Sequence, residues 1–200
     1  MKTKAFIFDI GNVLVRFDYG KLRRSLESLG GQTADLAQLE KLSKGYERGG
    51  IGRSDFLAQL STVFSHPAPE AEIARAWQDI FEANYPMWEA VEKLQSQYPL
   101  YLLSNTNCLH HEFIEAEYSV LQKFTDGVFS YRAKLLKPEP EIFLLAIRQF
   151  GVRPEETFYI DDLAANVTAG LTCGLRAYQY DPDAHEDFLL TLRGSGVHCV

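Results

Sequence analysis

Five short apolar segments, separated by helical patterns, constrain the fold of this chain more than any other feature. Each is rich in β-branched, aromatic or leucine side chains, and none alternates strictly between apolar and polar residues, which is typical of strands covered on both faces. The five segments are Ala5–Phe8, Leu100–Leu103, Gly127–Ser130, Thr157–Ile160 and Arg176–Gln179. Strands that alternate with helices predict a parallel sheet of the α/β class.

Helical patterns fill the spaces between these predicted strands. Pro140–Phe150 carries its apolar residues on one face, and Met87–Gln97 is followed by a tyrosine–proline stop signal. Leu163–Thr172 has the same character, and Gly174 is placed to end that helix. We therefore predict a Rossmann-like parallel sheet core flanked by helices.

One connection is far longer than the dozen or so residues that a crossover between parallel strands requires. Within it, residues 17–85 show helical patterns and no convincing strand. The apolar residues that recur there at helical spacing are Leu22, Leu26, Leu29, Leu36, Leu39, Leu42, Phe56, Leu57, Leu60, Ile73, Trp77, Ile80 and Phe81. Four short helices can pack as a bundle, so we predict a helical cap at 17–85, inserted into a core made of residues 1–16 and 86–200.

The composition is that of a globular, acidic protein. Hydrophobic residues make up 46% of the chain, enough for a full core, and the formal net charge is −7. This acidic balance argues against nucleic acid or an anionic membrane as the main partner. The apolar run near the N-terminus is too short for a signal peptide or a membrane span, and the three cysteines form neither a zinc spacing nor a disulfide framework. We therefore expect a cytoplasmic protein with reduced thiols.

Polar groups suited to phosphoryl transfer stand at the ends of four strand-like runs. These groups are Asp9, Ser104-Asn105, Lys137 and Asp161-Asp162. In open α/β sheets ligands bind beyond the carboxyl ends of the strands, so we expect the four groups to share one site. Their coincidence at strand ends carries more weight than any single motif.

The first two groups fit a nucleophile and a phosphate clamp. A carboxylate such as Asp9 can attack phosphorus and form an aspartyl-phosphate, although an aspartate after a strand often only caps a turn. Gly11 lets the backbone bend close to a ligand, and its carbonyl can face a metal. The Ser104 hydroxyl and the Asn105 backbone N–H can hold phosphoryl oxygens, although these residues would also cap the following helix.

The other two groups fit a fixed cation and a magnesium site. Pro138 keeps Lys137 out of the helical region and so fixes the approach of its ammonium, although an ordinary surface lysine is the simpler interpretation. The adjacent carboxylates of Asp161 and Asp162 repel each other and favour a bound Mg²⁺, with Asn166 steadying their loop. A helix N-terminus that favours acidic residues is the alternative.

These motifs, in this order, resemble those of the haloacid dehalogenase-like superfamily, the phosphatases with an aspartate nucleophile. The matching residues are Phe8-Asp9-Ile10-Gly11-Asn12-Val13, Leu103-Ser104-Asn105, Lys137-Pro138-Glu139-Pro140, and Ile160-Asp161-Asp162 with Asn166. The resemblance implies that Asp9 is the nucleophile, that Mg²⁺ is held by Asp9, the Gly11 carbonyl and Asp162, and that Asp161 braces Lys137 or joins the ligands. It also places Gly11 and Asn12 among the phosphate-binding positions.

The resemblance covers nearly the whole length of the chain. The helical insert after the first motif looks like the C1 cap of the family. The segment from Ser104 to His110 and the Gly11-Asn12 variant look most similar to bacterial phosphatases that act on α-D-glucose 1-phosphate and similar sugar phosphates.

One position departs from the usual family pattern. Most phosphatases of the family carry, two residues after the nucleophile, an aspartate that protonates the leaving group, and here that position is Gly11. General acid–base catalysis is typically worth about 10²–10⁴-fold, so we expect slow turnover of esters with poor leaving groups. His110 or His111 could replace the acid, and His110 is also a candidate for binding the substrate, although packing roles are the simpler interpretation for both histidines. In the predicted cap loop, Glu47, Arg48 or Arg53 could touch substrate, although a plain surface turn is again the simpler interpretation. The sequence does not decide which of these groups replaces the acid.

Three functions fit these residues. The leading prediction is a magnesium-dependent phosphomonoesterase for a small phosphorylated metabolite such as a hexose 1-phosphate. A 2-haloacid dehalogenase would use the same aspartate without magnesium, and the tandem acids Asp161-Asp162 argue against it. A non-catalytic protein that binds phosphometabolites would account for Gly11. The sequence leaves the oligomeric state open.

Overall fold

A five-stranded parallel sheet forms the centre of the computed structural model, which describes residues 2–29, 36–62, 68–78 and 80–199. Its strands are β1 (Ala5–Phe8), β4 (Leu100–Ser104), β5 (Asp126–Phe129), β6 (Thr157–Asp161) and β7 (Arg176–Gln179). They lie in the order β5-β4-β1-β6-β7, and every neighbouring pair is parallel. The predicted fold class is confirmed.

The strand bounds differ from the predicted ones by at most one residue. β1 and β7 begin and end as predicted, β5 lies one residue earlier, and β4 and β6 each extend by one residue, to Ser104 and Asp161. Both added residues are buried polar groups at the carboxyl edge of the sheet. A pattern of apolar residues cannot include them, although they continue the strand.

Ten α-helices lie within the described ranges. They are α1 (Tyr19–Ser28), α2 (Leu36–Glu47), α3 (Arg53–Ser61), α4 (Glu70–Gln78), α5 (Tyr85–Gln95), α6 (Cys108–Glu117), α7 (Ser130–Ala133), α8 (Pro140–Phe150), α9 (Ala164–Thr172) and α10 (His185–Gly194). The bounds of α8 are those predicted, because Pro140 suits a first helical turn and Gly151, at φ 63°, suits the helix end. None of these helices is both long and apolar enough to cross a membrane.

Helices cover both faces of the sheet, as continuous apolar strands require. Phe6 and Phe8 of β1 point to a cluster that includes residues of α5, α6 and α10. Ile7, between them, points to the opposite cluster, which includes residues of α8. The two-residue period of a strand thus divides one apolar run between two cores.

The segment predicted as a cap contains α1 to α4. The apolar cluster shared by α2, α3 and α4 consists of Tyr46, Phe56, Leu57, Leu60, Ile73 and Trp77, with Leu109 from α6, and Leu22 of α1 packs against it. The boundaries of the predicted cap, 17–85, remain a prediction. Parts of that range, residues 30–35, 63–67 and 79, lie outside the described residues.

A two-stranded antiparallel ribbon at the ends of this segment corrects the prediction that it holds no strand. β2 (Val15–Phe17) pairs with β3 (Phe81–Ala83). The prediction placed Ile80 and Phe81 on a helix, but α4 ends at Gln78. Both residues are buried in the main apolar core, the cluster that contains Phe6 and Phe8. Because they are apolar and follow Ile73 and Trp77 at helical spacing, their burial in a strand region resembled the buried face of a helix. At the other end of the chain, α10 was not predicted, and residues 195–199 form no strand.

Candidate active site

Asp9 lies at the carboxyl end of β1, in the middle of the sheet. Its backbone N–H donates to the Ile160 carbonyl at 2.9 Å, which continues the pairing of β1 with β6. The side chain is almost completely buried, and its Oδ1 accepts from the backbone N–H of Ile10 at 2.7 Å. Oδ2 accepts no hydrogen bond from any described residue, so this oxygen can face a substrate or a cation.

Lys137 reaches the same point from the loop between α7 and α8. The prediction that it ends a strand-like run is wrong, because the short helix α7 and a loop precede it. Its ammonium donates to Asp9 Oδ1 at 2.9 Å, to Asp161 Oδ2 at 2.6 Å and to the Leu103 carbonyl at 2.9 Å. The side chain is 1% exposed, and the peptide bond to Pro138 is cis. All three ammonium protons are therefore used inside the protein, and the residue is not a surface lysine.

Asn105 holds the loop that carries Lys137. Its side-chain Oδ1 accepts from the Lys137 backbone N–H at 2.8 Å, and its Nδ2 donates to the Lys137 carbonyl at 2.9 Å. This pair of hydrogen bonds joins the end of β4 to the loop. The Ser104 hydroxyl, by contrast, makes only a long 3.5 Å contact with the Asn105 carbonyl among the described residues. It is therefore available to donate to a phosphoryl oxygen.

Asp161 is completely buried and surrounded by donors. Oδ2 accepts from Lys137 and from the Tyr159 hydroxyl, while Oδ1 accepts from the Leu163 backbone N–H at 2.9 Å. Asn166 Nδ2 lies 3.0 Å from Oδ1 and 3.1 Å from Oδ2. Because both oxygens are occupied, Asp161 is suited to brace Lys137 and poorly suited to bind a metal.

Asp162 has a different environment from its neighbour. Its Oδ2 accepts from Asn12 Nδ2 at 2.9 Å, and Oδ1 accepts from no other described residue. The carboxylates of Asp9, Asp161 and Asp162 each offer an oxygen, and these oxygens lie within 4.8 Å of one another. Among the described residues, Lys137 is the only cation within ion-pair distance of them. Three carboxylates and one ammonium leave two formal negative charges, which fit a divalent cation held by Asp9 and Asp162.

Burial and charge shift the acidity of the three aspartates in different directions. Burial raises the pKa of Asp9 to about 7, Lys137 opposes this shift, and the charges of Asp161 and Asp162 add to it. Burial would also raise the pKa of Asp161, but the ammonium of Lys137 and its hydrogen bonds lower it overall. For Asp162, burial raises the pKa against the Asn12 hydrogen bond. A cation at Asp9 and Asp162 would favour their ionised forms.

Asn12 closes the turn that follows Asp9. Its φ of 51° lies in the left-handed region, which asparagine tolerates better than most residues. Its side chain bridges two elements, since Nδ2 donates to Asp162 and Oδ1 accepts from the Phe17 backbone N–H at 3.2 Å. The structure therefore gives Asn12 a bracing contact with a candidate metal ligand, and its predicted contact with phosphate stays a prediction.

Two cavities differ in their relation to these acids. A cleft of about 530 Å³ opens beside Asp162, and polar side chains contribute much of its lining. The residues around it are Asn12, Asp162, Gln179, Tyr180, Asp181 and Pro182. Another cavity, of about 310 Å³, lies at the opposite edge of the sheet beside Lys4 and Glu156. Only the first adjoins the candidate site.

A sequence model of haloacid dehalogenase-like hydrolases matches residues 3–174, which is most of the chain. The chain belongs to the haloacid dehalogenase-like hydrolases. It is 30% identical, over 189 residues, to D-ribitol-5-phosphate phosphatase from Bacteroides thetaiotaomicron. That alignment covers 88% of this chain and 91% of the relative, so the similarity is not confined to the motifs.

Solved structures of family members superpose closely on this hydrolase. A haloacid dehalogenase-family enzyme from Bacteroides thetaiotaomicron, 26% identical, covers 95% of this chain and 99% of its own, with a TM-score of 0.88. A structure of that enzyme in complex with magnesium and inorganic phosphate is 28% identical, with a TM-score of 0.83 and coverage of 88% and 93%. A predicted family hydrolase from Porphyromonas gingivalis is 25% identical, with a TM-score of 0.82 and coverage of 96% and 97%.

His110, one of the predicted substitutes for the missing acid, is used in packing. Its Nε2 donates to the Trp77 carbonyl at 2.9 Å, and its Nδ1 accepts from Asn107 Nδ2 at 3.1 Å. The ring stacks on Trp77 and meets Phe81 edge-on. Burial lowers the pKa of His110 to about 4, so the ring is neutral at physiological pH. With both nitrogens engaged, the structure argues against the predicted role of His110 in binding substrate.

His111 is also buried and engaged. Its Nδ1 lies 3.1 Å from the Tyr131 hydroxyl, and its ring packs on Phe129. Burial lowers the pKa of His111, and the charge of Arg132 lowers it further. The contacts therefore favour a packing role for this histidine as well.

The environment of His110 predicts a specific pH dependence of stability. Its folded-state pKa of about 4 lies below the ordinary value of 6.5, so the unfolded chain binds a proton that the folded chain excludes. Its contribution to stability is complete above pH 6.5 and falls between pH 6.5 and 4, by at most about 1.4 kcal/mol per pH unit. We expect His110→Gln to remove this part of the pH dependence of the free energy of unfolding, measured by urea unfolding between pH 4 and pH 6.5. The exposed His198→Gln is the control, and an unchanged slope in His110→Gln would contradict the assignment.

The loop between α2 and α3, predicted as a possible substrate contact, is bound to the core. Arg48 forms an ion pair with Glu139, and Arg53 pairs with Glu112 at 2.9 Å. The Ser130 hydroxyl donates to the Glu47 carbonyl at 2.6 Å. Gly49, at φ 70°, lies so close to the core that an added Cβ would be 2.1 Å from the Tyr131 carbonyl oxygen. These contacts seat the loop beside the Lys137 loop, and any contact of Glu47, Arg48 or Arg53 with substrate stays a prediction.

Two residues of the site were not found from the sequence. Tyr159 donates to Asp161 from two positions earlier on β6, and burial raises its pKa, so it remains a proton donor. The sequence feature that could have indicated this role is the hydroxyl group of Tyr159 in an otherwise apolar part of the strand. Phe17 lies against Gly11, and no sequence pattern indicates this contact.

Proposed function

We propose that this hydrolase is a magnesium-dependent phosphomonoesterase for small phosphorylated metabolites, acting through an aspartyl-phosphate on Asp9. The observation that carries the proposal is the contact of the buried Lys137 ammonium with both Asp9 and Asp161, beside the less engaged Asp162. A nucleophile, a fixed positive charge and a pair of candidate metal ligands are thereby concentrated at one sheet edge. Two relatives support magnesium-dependent phosphate chemistry. One is named as D-ribitol-5-phosphate phosphatase, and the other was solved in complex with magnesium and inorganic phosphate.

The reaction would proceed in two displacements at phosphorus. Asp9 Oδ2, free of hydrogen bonds from described residues, attacks phosphorus while the bond to the leaving oxygen breaks. The Lys137 charge and the Ser104 hydroxyl stabilise negative charge on the peripheral phosphoryl oxygens. Water then attacks phosphorus, inorganic phosphate leaves, and the Asp9 carboxylate is regenerated. Asn105 contributes by fixing the loop that carries Lys137.

Magnesium would be held by Asp9, Asp162 and the Gly11 carbonyl. When bound, it would neutralise phosphoryl charge and lessen the repulsion between the nucleophile and its anionic substrate. The donors around Asp161 leave that carboxylate committed to Lys137, which favours bracing over its alternative role as a ligand.

A sugar or sugar-alcohol phosphate is the proposed substrate class, and a hexose 1-phosphate is its most specific candidate. The similarity to D-ribitol-5-phosphate phosphatase supports a polyhydroxylated substrate. So does the cleft beside Asp162, where Asn12, Gln179 and Asp181 can form hydrogen bonds with hydroxyl groups. The hexose 1-phosphate is favoured because its anomeric oxygen leaves more easily than a simple alkoxide, which compensates for the absence of an acid at Gly11.

A screen of phosphorylated metabolites with purified protein tests the proposal. We expect release of inorganic phosphate from an aryl phosphate and from sugar phosphates, with faster turnover of hexose 1-phosphates than of ribitol 5-phosphate. A chelator should abolish release and added Mg²⁺ should restore it. Haloacid turnover that persists in chelator would indicate a dehalogenase, and binding without any turnover would indicate a non-catalytic protein. Either result would overturn the proposal.

The two adjacent aspartates provide a matched pair of variants. We expect Asp162→Asn to raise the Mg²⁺ concentration for half-maximal activity, on the order of 10-fold or more, because it removes a ligand. Asp161→Asn should leave that concentration nearly unchanged, while lowering the maximal rate and the thermal stability through the loss of a charge partner of Lys137. Magnesium titrations of both variants measure this difference. A larger effect on the half-saturating concentration in Asp161→Asn would reverse the assignment.

A further inference from the structure

We infer that Phe17 determines which leaving groups this hydrolase accepts, because its ring fills the space that an acidic side chain at position 11 would need. The phosphatase therefore works efficiently only on esters whose leaving oxygen departs without a proton. The inference rests on the proposed function and narrows its substrate class to anomeric, phenolic and similarly activated phosphates.

The geometry at Gly11 excludes any side chain while Phe17 stays in place. A Cβ added at Gly11 would lie 2.3 Å from Cε2 and 2.5 Å from Cζ of the Phe17 ring. Real Cβ atoms essentially never approach other heavy atoms closer than 3.0 Å, so even alanine would require the ring to move. Gly11 does not have the positive φ that favours glycine, and so the ring, not the backbone, is what restricts this position.

The Phe17 ring is held on more than one side. Its backbone N–H donates to Asn12 Oδ1 at 3.2 Å, and its residue pairs with Phe81 across the β2–β3 ribbon. The two rings are in contact, with centroids 5.4 Å apart, and Phe17 packs against the main apolar core. Withdrawal of the ring would therefore cost packing and disturb the turn that braces Asp162 through Asn12.

No described histidine near this turn replaces the missing acid, since both nitrogens of His110 are used and His111 is packed against Phe129 and Tyr131. A phenyl ring can neither donate nor accept a proton. In the first displacement the new bond forms between Asp9 Oδ2 and phosphorus, and the electron pair of the broken bond stays on the leaving oxygen. That oxygen departs as an anion and takes a proton from water afterwards, which disfavours alkoxides.

The test is the dependence of kcat/KM on the leaving group in four proteins: wild type, Gly11→Asp, Phe17→Ala and the double variant. Since kcat/KM reports the steps up to the first irreversible one, it follows transfer to Asp9 and not the later hydrolysis. We expect a steep dependence on leaving-group pKa in the wild type and no gain from Gly11→Asp alone. The double variant should raise kcat/KM for alkyl phosphates at least about 10-fold, with little change for aryl phosphates.

Two results would overturn the inference: a wild-type kcat/KM indifferent to leaving-group pKa, or an equal gain from Gly11→Asp with and without Phe17. A double-mutant cycle of Gly11→Ala and Phe17→Ala, called the alanine cycle, tests the steric contact through the melting temperature and needs no catalysis. Gly11→Ala should lower the melting temperature in the wild type and much less in Phe17→Ala. Gly194→Ala, where an added Cβ meets no atom within 4 Å, should show no such coupling.

The same measurements separate this inference from the proposed function. If the wild type released no phosphate from any ester in the presence of Mg²⁺, the proposed function would fail, while the alanine cycle would still show whether Phe17 excludes a side chain at position 11. If aryl and sugar 1-phosphates are hydrolysed but the alanine cycle shows no coupling, only the role of Phe17 fails. Should the double variant not fold, the wild-type leaving-group series and the alanine cycle still decide the question.

Discussion

Replacement of Asp9 by asparagine is expected to abolish phosphate release, with a loss on the order of 10⁴-fold or more in kcat. The amide has nearly the same shape as the carboxylate but is a far weaker nucleophile toward phosphorus. The substitution also removes one negative charge from the proposed magnesium site. The rate of phosphate release from an aryl phosphate at saturating Mg²⁺ measures the effect.

The protein should remain folded in this variant, because Lys137 keeps its ion pair with Asp161 and its hydrogen bond to the Leu103 carbonyl. Circular dichroism and a melting curve confirm the fold independently of activity. Asp55→Asn, an exposed aspartate on α3, is the matched control and should retain wild-type turnover. Retention of more than a tenth of the wild-type rate in Asp9→Asn would rule out Asp9 as the nucleophile.

Replacement of Lys137 by methionine is expected to produce the largest loss of stability. Methionine preserves much of the apolar stem but removes the ammonium, and Asp161 and Asp9 lose their shared cation inside the protein. Removal of one partner from a buried ion pair typically costs about 3–5 kcal/mol in the free energy of unfolding. Activity should fall as well, because the fixed positive charge beside the phosphoryl group is lost. Urea unfolding at neutral pH measures the first effect.

Two further variants show whether the loss comes from uncompensated charge. Asp161→Asn in the Lys137→Met background should recover part of the stability, because it removes a buried carboxylate that has lost its cation. Lys123→Met is the surface control: Lys123 pairs with Glu92 at 3.0 Å, and such exposed pairs are worth at most about 1 kcal/mol. If Lys137→Met cost no more than Lys123→Met, the buried network would not have the energetic role assigned to it.

The parallel sheet could be predicted from the apolar character of its strands, and the convergence of the site from the positions at which those strands end. Continuous apolar strands require helices on both faces, and this requirement fixed the α/β class before any contact was known. Parallel strands also bring their carboxyl ends to one edge. For this reason Asp9, Ser104 and Asp161, distant in the chain, could be expected to lie near one another. The structure places them at this edge, with Lys137 in contact with two of them.

The details that the sequence did not predict depend on contacts between distant residues. The hydrogen bonds of Asn105 to the Lys137 loop and the position of the Phe17 ring over Gly11 arise from the packed fold, which no local spacing encodes. The ribbon of β2 and β3 was missed because three-residue strands carry too few side chains to show a period. His110 was a reasonable acid by residue type and position, but its burial and its two hydrogen bonds decided its role.

The steric course at phosphorus tests the central claim most directly. A substrate whose phosphoryl group is made chiral with oxygen isotopes and sulfur is hydrolysed, and the configuration of the released thiophosphate is determined. Two in-line displacements, first by Asp9 and then by water, each invert the centre, so the account predicts net retention. Net inversion would mean that water attacks the substrate directly, and it would contradict an aspartyl-phosphate intermediate on Asp9.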